Sequence, residues 1–153
     1  MHHLDRRHVV CAFYFLALTA LLVTSSQAQV ITTYAGANRT FSGDRQQATS
    51  LFLSKISTVT LDSSGNPVFA VPYRNVVLRV NPDGTLTRLA GTGNPGFSGD
   101  GAKATNATLK TPHGAAFDSA GNLYIADSGN NRIRVVSSQD GSISTFAGTD
   151  RPA

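Results

Sequence analysis

Phe97-Ser98-Gly99-Asp100 repeats Phe41-Ser42-Gly43-Asp44, and Phe117-Asp118-Ser119-Ala120-Gly121-Asn122 repeats Leu61-Asp62-Ser63-Ser64-Gly65-Asn66, each at a spacing of 56 residues. Phe69-Ala70 returns at the same distance as Ile125-Ala126. A third element, apolar-polar-polar-apolar-Ala-Gly, occurs three times, at steps of 55 and 57: Ile31-Thr32-Thr33-Tyr34-Ala35-Gly36, Leu86-Thr87-Arg88-Leu89-Ala90-Gly91 and Ile143-Ser144-Thr145-Phe146-Ala147-Gly148. Self-similarity at a fixed period marks one supersecondary unit used repeatedly, and such a unit buries its apolar face only against a neighbour.

Between these markers the chain holds short β-branched and aromatic runs bounded by Gly, Asn, Asp and Ser, with no sustained helical period, which is the pattern of an all-β protein. The second copy places strands at 114–118, 123–127, 132–136 and 143–147, and the first at 58–62, 68–72, 76–80 and 86–90. The Asp-Ser-Ser-Gly-Asn and Asp-Ser-Ala-Gly-Asn turns separate strands one and two, and Asp83-Gly84 and Asp140-Gly141 separate strands three and four. These are strong hairpin signals. Four antiparallel strands per unit of this length fit a β-propeller blade. A β-sandwich of two similar halves is the rival, but it has no need of the same Phe-Ser-Gly-Asp segment in both connections. The link at 91–112 is long for a compact domain, so it is either functional or packed as an ordered loop.

The first 28 residues stand apart. Arg6 and Arg7 precede an uncharged apolar run at 9–23, and Thr24-Ser25-Ser26-Gln27-Ala28 follows. Basic, apolar and small-residue regions in that order make a secretory signal peptide, with cleavage expected after Ala28. A retained membrane anchor is the rival reading, but the run falls short of the roughly 20 residues of a membrane-spanning helix, so cleavage with no stable span afterwards is the expectation. The destination is secreted, periplasmic or cell surface. Cys11 lies inside the leader, leaving residues 29–153 without a thiol, a disulfide or a Cys-based metal site. That segment carries eleven Lys and Arg against eight Asp and no Glu. The cations are scattered among the acids, so the high pI of about 9.6 does not mark a nucleic-acid groove, which needs clustering on one face.

Pro112-His113-Gly114-Ala115-Ala116-Phe117-Asp118, Gly121-Asn122-Leu123-Tyr124-Ile125-Ala126-Asp127 and Asn130-Asn131-Arg132-Ile133-Arg134-Val135 resemble the NHL repeat. Gly96-Phe97-Ser98-Gly99-Asp100-Gly101 resembles the longer link of secreted bacterial members of that family. The resemblance implies a propeller, usually six-bladed and mostly a binding scaffold, with some lyases and lactone hydrolases among similar propellers. The first copy departs from the pattern: Ile56 and Thr58 replace Pro112 and Gly114, and Val71-Pro72 stands where Asp127-Ser128 leads into the Asn-Asn-Arg turn. Length departs too. Residues 29–153 hold about two blades of an expected six, an incomplete ring: an extra outer strand at 30–35, blade one at about 56–91 and blade two at about 112–148. The chain is then either an N-terminal fragment of a longer propeller, which its abrupt end after a fourth strand favours, or a subunit of a homo-oligomer whose ring other copies complete.

Candidate chemistry is sparse. Asp127, Asn131 and Arg132 form a potential polar cluster, but turn Asp residues commonly satisfy backbone amides and pair with guanidinium groups. Arg79 and Arg134 are expected to alternate outward and be solvated. His113 is the sole histidine of residues 29–153 and precedes an innermost strand, a place suited to a general base. A lone His makes a poor metal site. The Phe-Ser-Gly-Asp-Gly segment lacks the distal Glu of a calcium loop, and Gly93-Asn94-Pro95-Gly96 lacks the Lys of a phosphate loop. Asn38-Arg39-Thr40 and Asn106-Ala107-Thr108 match the N-glycosylation pattern and are assigned no function. No catalytic residue, metal site or cofactor is assigned. The expectation is a non-enzymatic scaffold that binds a protein or glycan through loops at one end of the blades; the alternative is part of a lyase or lactone-hydrolase-like enzyme.

Overall fold

The computed structural model describes residues 44–51, 53, 56 and 58–149; the leader and the strand expected at 30–35 lie outside them. Two four-stranded antiparallel sheets follow one another in the chain. Blade 1 comprises β1 (Val59–Leu61), β2 (Pro67–Val71), β3 (Val76–Val80) and β4 (Leu86–Ala90), and blade 2 comprises β5 (Pro112–Phe117), β6 (Leu123–Asp127), β7 (Arg132–Val136) and β8 (Ile143–Ala147). Both sheets run in sequence order, each strand beside the next. The registers agree at the repeat spacing: Val68 faces Arg79 as Tyr124 faces Val135, and Val71 faces Val76 as Asp127 faces Arg132. The irregularity between the third and fourth strands recurs too, at Val77/Leu78 and at Ile133/Arg134.

Strand limits move where side chains close turns. Asp62 and Asp118, expected inside strands, lie beyond them, because each carboxylate accepts two backbone amides: Ser64 and Asn66 at 2.9 Å for Asp62, Ala120 at 2.9 Å and Asn122 at 2.8 Å for Asp118. These are Asx-type turns. Pro72, expected in β2, opens a 3-10 turn, Pro72–Arg74, that ends on Asn75 at φ 54°; Ser128–Asn130 ends likewise on Asn131 at φ 52°. Gly91 and Gly148, of the two described Ala-Gly elements, pack over that left-handed Asn. A Cβ on Gly91 would lie 2.1 Å from the Asn75 carbonyl oxygen, and one on Gly148 2.2 Å from that of Asn131. Only glycine fits there.

The link is a packed element. Gly101 N–H donates to Ile143 O, Ile143 N–H to Ala102 O and Ala104 N–H to Gly141 O, so the link is bonded to the outer strand of blade 2. Residues 44–51 are bonded to β4 in the same way, with Arg45 N–H donating to Leu86 O, Leu86 N–H to Gln46 O and Ala48 N–H to Gly84 O. Each sheet therefore has a front face, dressed by its link, and a bare back face. The back of blade 1 (Val68, Ala70, Val77, Ala90) packs against the front of blade 2 (Leu123, Ile125, Val136, Ile143), with Ala104, Ala107 and Leu109 of the link filling the wedge. The inner strand β5 lies directly against β1 and β2, while the 3-10 turn Ala104–Asn106 meets β4. A second cluster covers the front of blade 1, where Phe69, Val71, Val76, Leu78, Val80 and Leu86 pack against Ala48, Leu51 and Leu53.

Candidate functional site

The polar residues of blade 2 gather at the front of β6 and β7 under the link. Asp127, at the end of β6, is fully buried. One carboxylate oxygen accepts the Lys110 backbone N–H at 2.6 Å, and the other accepts Asn130 Nδ2 at 2.7 Å and lies 3.5 Å from Arg134 Nη1. Asn130 Nδ2 also donates to Gly96 O at 2.8 Å. Asp127 is therefore joined by Asn130 and Arg134, and it stands opposite the expected Arg132 in register. Asn131 contributes its left-handed backbone to the turn. Arg132 donates from Nη1 to Asn130 O at 2.9 Å and lays its guanidinium 3.8 Å from the centre of the Phe97 ring.

Arg134 corrects the expectation of an outward, solvated side chain: its exposure is 0%. It shares a face with Arg132 and Val136, alternating with Ile133 and Val135, and stands opposite Ile125, which turns it to the front face. There its Nη2 donates to Ser98 O at 3.2 Å and to the Asp100 carboxylate, while Phe97 lies 4.8 Å from the guanidinium carbon. Among the described residues its Nε has no hydrogen-bond partner. Asp100 also accepts the Thr145 hydroxyl at 2.8 Å and the Thr145 amide at 3.2 Å. Burial works against ionisation of Asp100, but the hydrogen bonds from Thr145 and Arg134 outweigh it and hold the carboxyl below its ordinary range. Phe97-Ser98-Gly99-Asp100 is thus a clamp on β7 and β8, and Asp44 of the first copy likewise accepts the Arg88 amide at 2.9 Å. Arg79 is only half-buried, bonding Asn81 Oδ1 through Nε at 3.1 Å with Asp62 3.7 Å from Nη1.

The signal that locates Arg134 was available in the repeat: at the 56-residue offset it stands where Leu78 stands, in the apolar run Val76-Val77-Leu78. Arg79 has Val135 as its counterpart, so the two arginines lie on opposite faces.

A different surface forms at the end of the blades that carries the β2–β3 and β6–β7 turns. Asn75 Oδ1 accepts the Thr111 amide at 3.0 Å and Asn75 Nδ2 donates to Gly93 O at 3.2 Å, which ties the turn of blade 1 to the approach to β5. His113, exposed at the start of β5, places Nδ1 3.0 Å from Thr111 O, and its own carbonyl accepts the Thr58 hydroxyl at 3.4 Å. Tyr73, at the tip of the blade 1 turn, is 63% exposed. At the opposite end a cleft of ≈ 270 Å³ opens between the blades, lined by Arg88, Leu89, Lys103, Phe117 and Leu123 among others. Among the described residues no group of three or more His, Cys, Asp or Glu side chains is placed to hold a metal ion, and no helix is long and apolar enough to cross a membrane.

Two open four-stranded sheets, packed face to face through a repeated link, are blades of the β-propeller class. Residues 109–136, which hold β5, β6 and β7 of blade 2, match the family model of the NHL repeat. Teneurin-m of Drosophila melanogaster is 36% identical over 85 residues, covering 50% of this chain and 3% of the relative. Teneurin-1 of Caenorhabditis elegans is 60% identical over 38 residues, covering 25% and 1%. The chain thus spans a small fraction of these curated relatives. Similar solved structures include an auxiliary nutrient binding protein from Bacteroides ovatus (TM-score 0.48, 20% identity, 59% of this chain and 25% of that one) and virginiamycin B lyase from Staphylococcus aureus (TM-score 0.43, 17% identity, 68% and 29%).

Proposed function

We propose that this chain is a secreted, non-enzymatic scaffold that binds a protein or glycan at the blade end formed by the β2–β3 turn and the start of β5. The observation that carries this reading is the Asn75 bridge, which fixes exposed Tyr73 and exposed His113 on two blades at one end of a rigid framework. An aromatic ring with a polar tip on a tethered turn offers contact area at small entropic cost. Secretion enters through the order of basic, apolar and small residues in the leader.

The carboxylates of Asp62, Asp83, Asp100, Asp118 and Asp140 are held below their ordinary range by hydrogen bonds that close turns and clamp the link, which is a structural use of these side chains. Asp127 and Arg134 are enclosed by the link, out of reach of a ligand.

The test is to apply the exported chain to glycan and protein arrays, then repeat with Tyr73→Ala. The reading expects at least tenfold weaker binding in the variant with the melting temperature unchanged. Undiminished binding by Tyr73→Ala contradicts it, and so does a lactone-opening or lyase activity that His113→Ala abolishes.

A further inference from the structure

The junction between the blades is a template for an interface whose two halves recur, exposed, on the outer faces of the described sheets. Within the chain, Val68, Ala70 and Val77 on the back of blade 1 are covered to 1% exposure or less by blade 2 and its link. At the repeat spacing their counterparts on the back of blade 2 are Tyr124, Ala126 and Ile133, and Phe146 matches Leu89. This second back face keeps the apolar character of the first but lies open: Phe146 is 63% exposed and Ile133 36%. Its surface is already organised. The Tyr124 and Phe146 rings meet edge to face at 5.1 Å, and a shallow groove runs between Tyr124, Ile133, Ala126 and Ala116.

The other half of the junction is open as well. In blade 2, Ala115 and Phe117 of the inner strand pack onto the inter-blade core. Their counterparts in blade 1 are Val59 and Leu61, which are 60% and 58% exposed. One molecule thus presents both complementary halves of an interface whose bonded example it already contains. Exposed apolar surface of this kind marks an interaction site.

We propose that copies of this chain associate head to tail, with the back of blade 2 in one copy seated on the front of blade 1 in the next. Tyr124, Ile133 and Phe146 then meet Val59 and Leu61 as Val68, Val77 and Leu89 meet Ala115 and Phe117 within the chain. A second copy is the occupant because it carries the matching half at the matching repeat positions. The contact is heterologous, joining two different surfaces, so it propagates from copy to copy until a ring closes.

Two substitutions at exposed positions test this in the full chain purified after export. Phe146→Asp disables the back face and Leu61→Asp the front face, and circular dichroism checks that both variants fold. Light scattering of the native chain is expected to give one discrete oligomer, and each variant alone a monomer. Mixing the two variants is expected to yield a heterodimer and nothing larger, since one intact back face and one intact front face remain. A native chain that stays monomeric at micromolar concentration overturns the proposal and leaves the faces to some other occupant. So do variants that remain monomeric on mixing, or association that neither substitution changes. Should Leu61→Asp fail to fold, Val59→Ser takes its place in the same scheme.

Discussion

Arg134 and Leu78 occupy the same place in two copies of one unit, and each is buried with the partner its neighbourhood supplies. In blade 1, Val71 and Leu78 pack against Leu51 and Leu53 as ordinary hydrocarbon. In blade 2, Asp127 and Arg134 replace that pair, and the link provides Ser98 O, Asp100 and the Lys110 amide to satisfy them. Removing two charges from water is expensive, and a buried pair replaced by apolar residues is often neutral or stabilising, whereas breaking it is not. Arg134→Leu alone is therefore expected to cost about 3 kcal/mol, since it strands the Asp127 carboxylate. Asp127→Val with Arg134→Leu, which copies blade 1, is expected to recover most of that loss. Urea unfolding of the two variants measures both quantities, and a double variant as unstable as the single one contradicts the equivalence.

At the scale of elements, the hairpins are held by their acids. Asp140 accepts the Ser142 amide at 3.0 Å and its hydroxyl at 2.8 Å, which lowers its pKa to about 2. Asp83 is held down in the same way by Thr85, and Asp118 by the side chain and amide of Asn122. A carboxyl more acidic in the folded chain than in the unfolded one stabilises the fold above its ordinary pKa of 3.8, and that contribution disappears as pH falls toward 2. The melting temperature is thus expected to be flat above about pH 5 and to fall between pH 4 and 2. Asp140→Asn is expected to lie below the native chain at pH 6 and to converge with it near pH 2; parallel profiles would contradict this role. These hairpins were the legible part of the fold. Five strands, β3, β4, β6, β7 and β8, fall at the residues their alternation and flanking turns give. The link and Arg134 were less legible, for one reason. Ala104, Ala107 and Leu109 take their partners from blade 1, and Arg134 takes its partners from the link, so no local period reports either. The Asp127 site was half legible: its structural role follows from turn chemistry, its Lys110 partner only from the path of the link.

At the scale of the whole molecule, the 56-residue unit encodes a sheet together with the link that dresses its front face, and the wedge between blades joins both sheets into one core. Residues 91–111, which look like a long loop in the sequence, are accordingly a structural layer. Amide hydrogen exchange of the folded chain tests this most directly. Gly91, Thr92, Gly101 and Ile143, whose amides donate to Ala104 O, Ala107 O, Ile143 O and Ala102 O, are expected to exchange as slowly as the central strands. Their protection should reach roughly a thousandfold, about 4 kcal/mol of opening free energy. Exchange of the link amides at the rate of an open loop, while β6 and β7 stay protected, would contradict it.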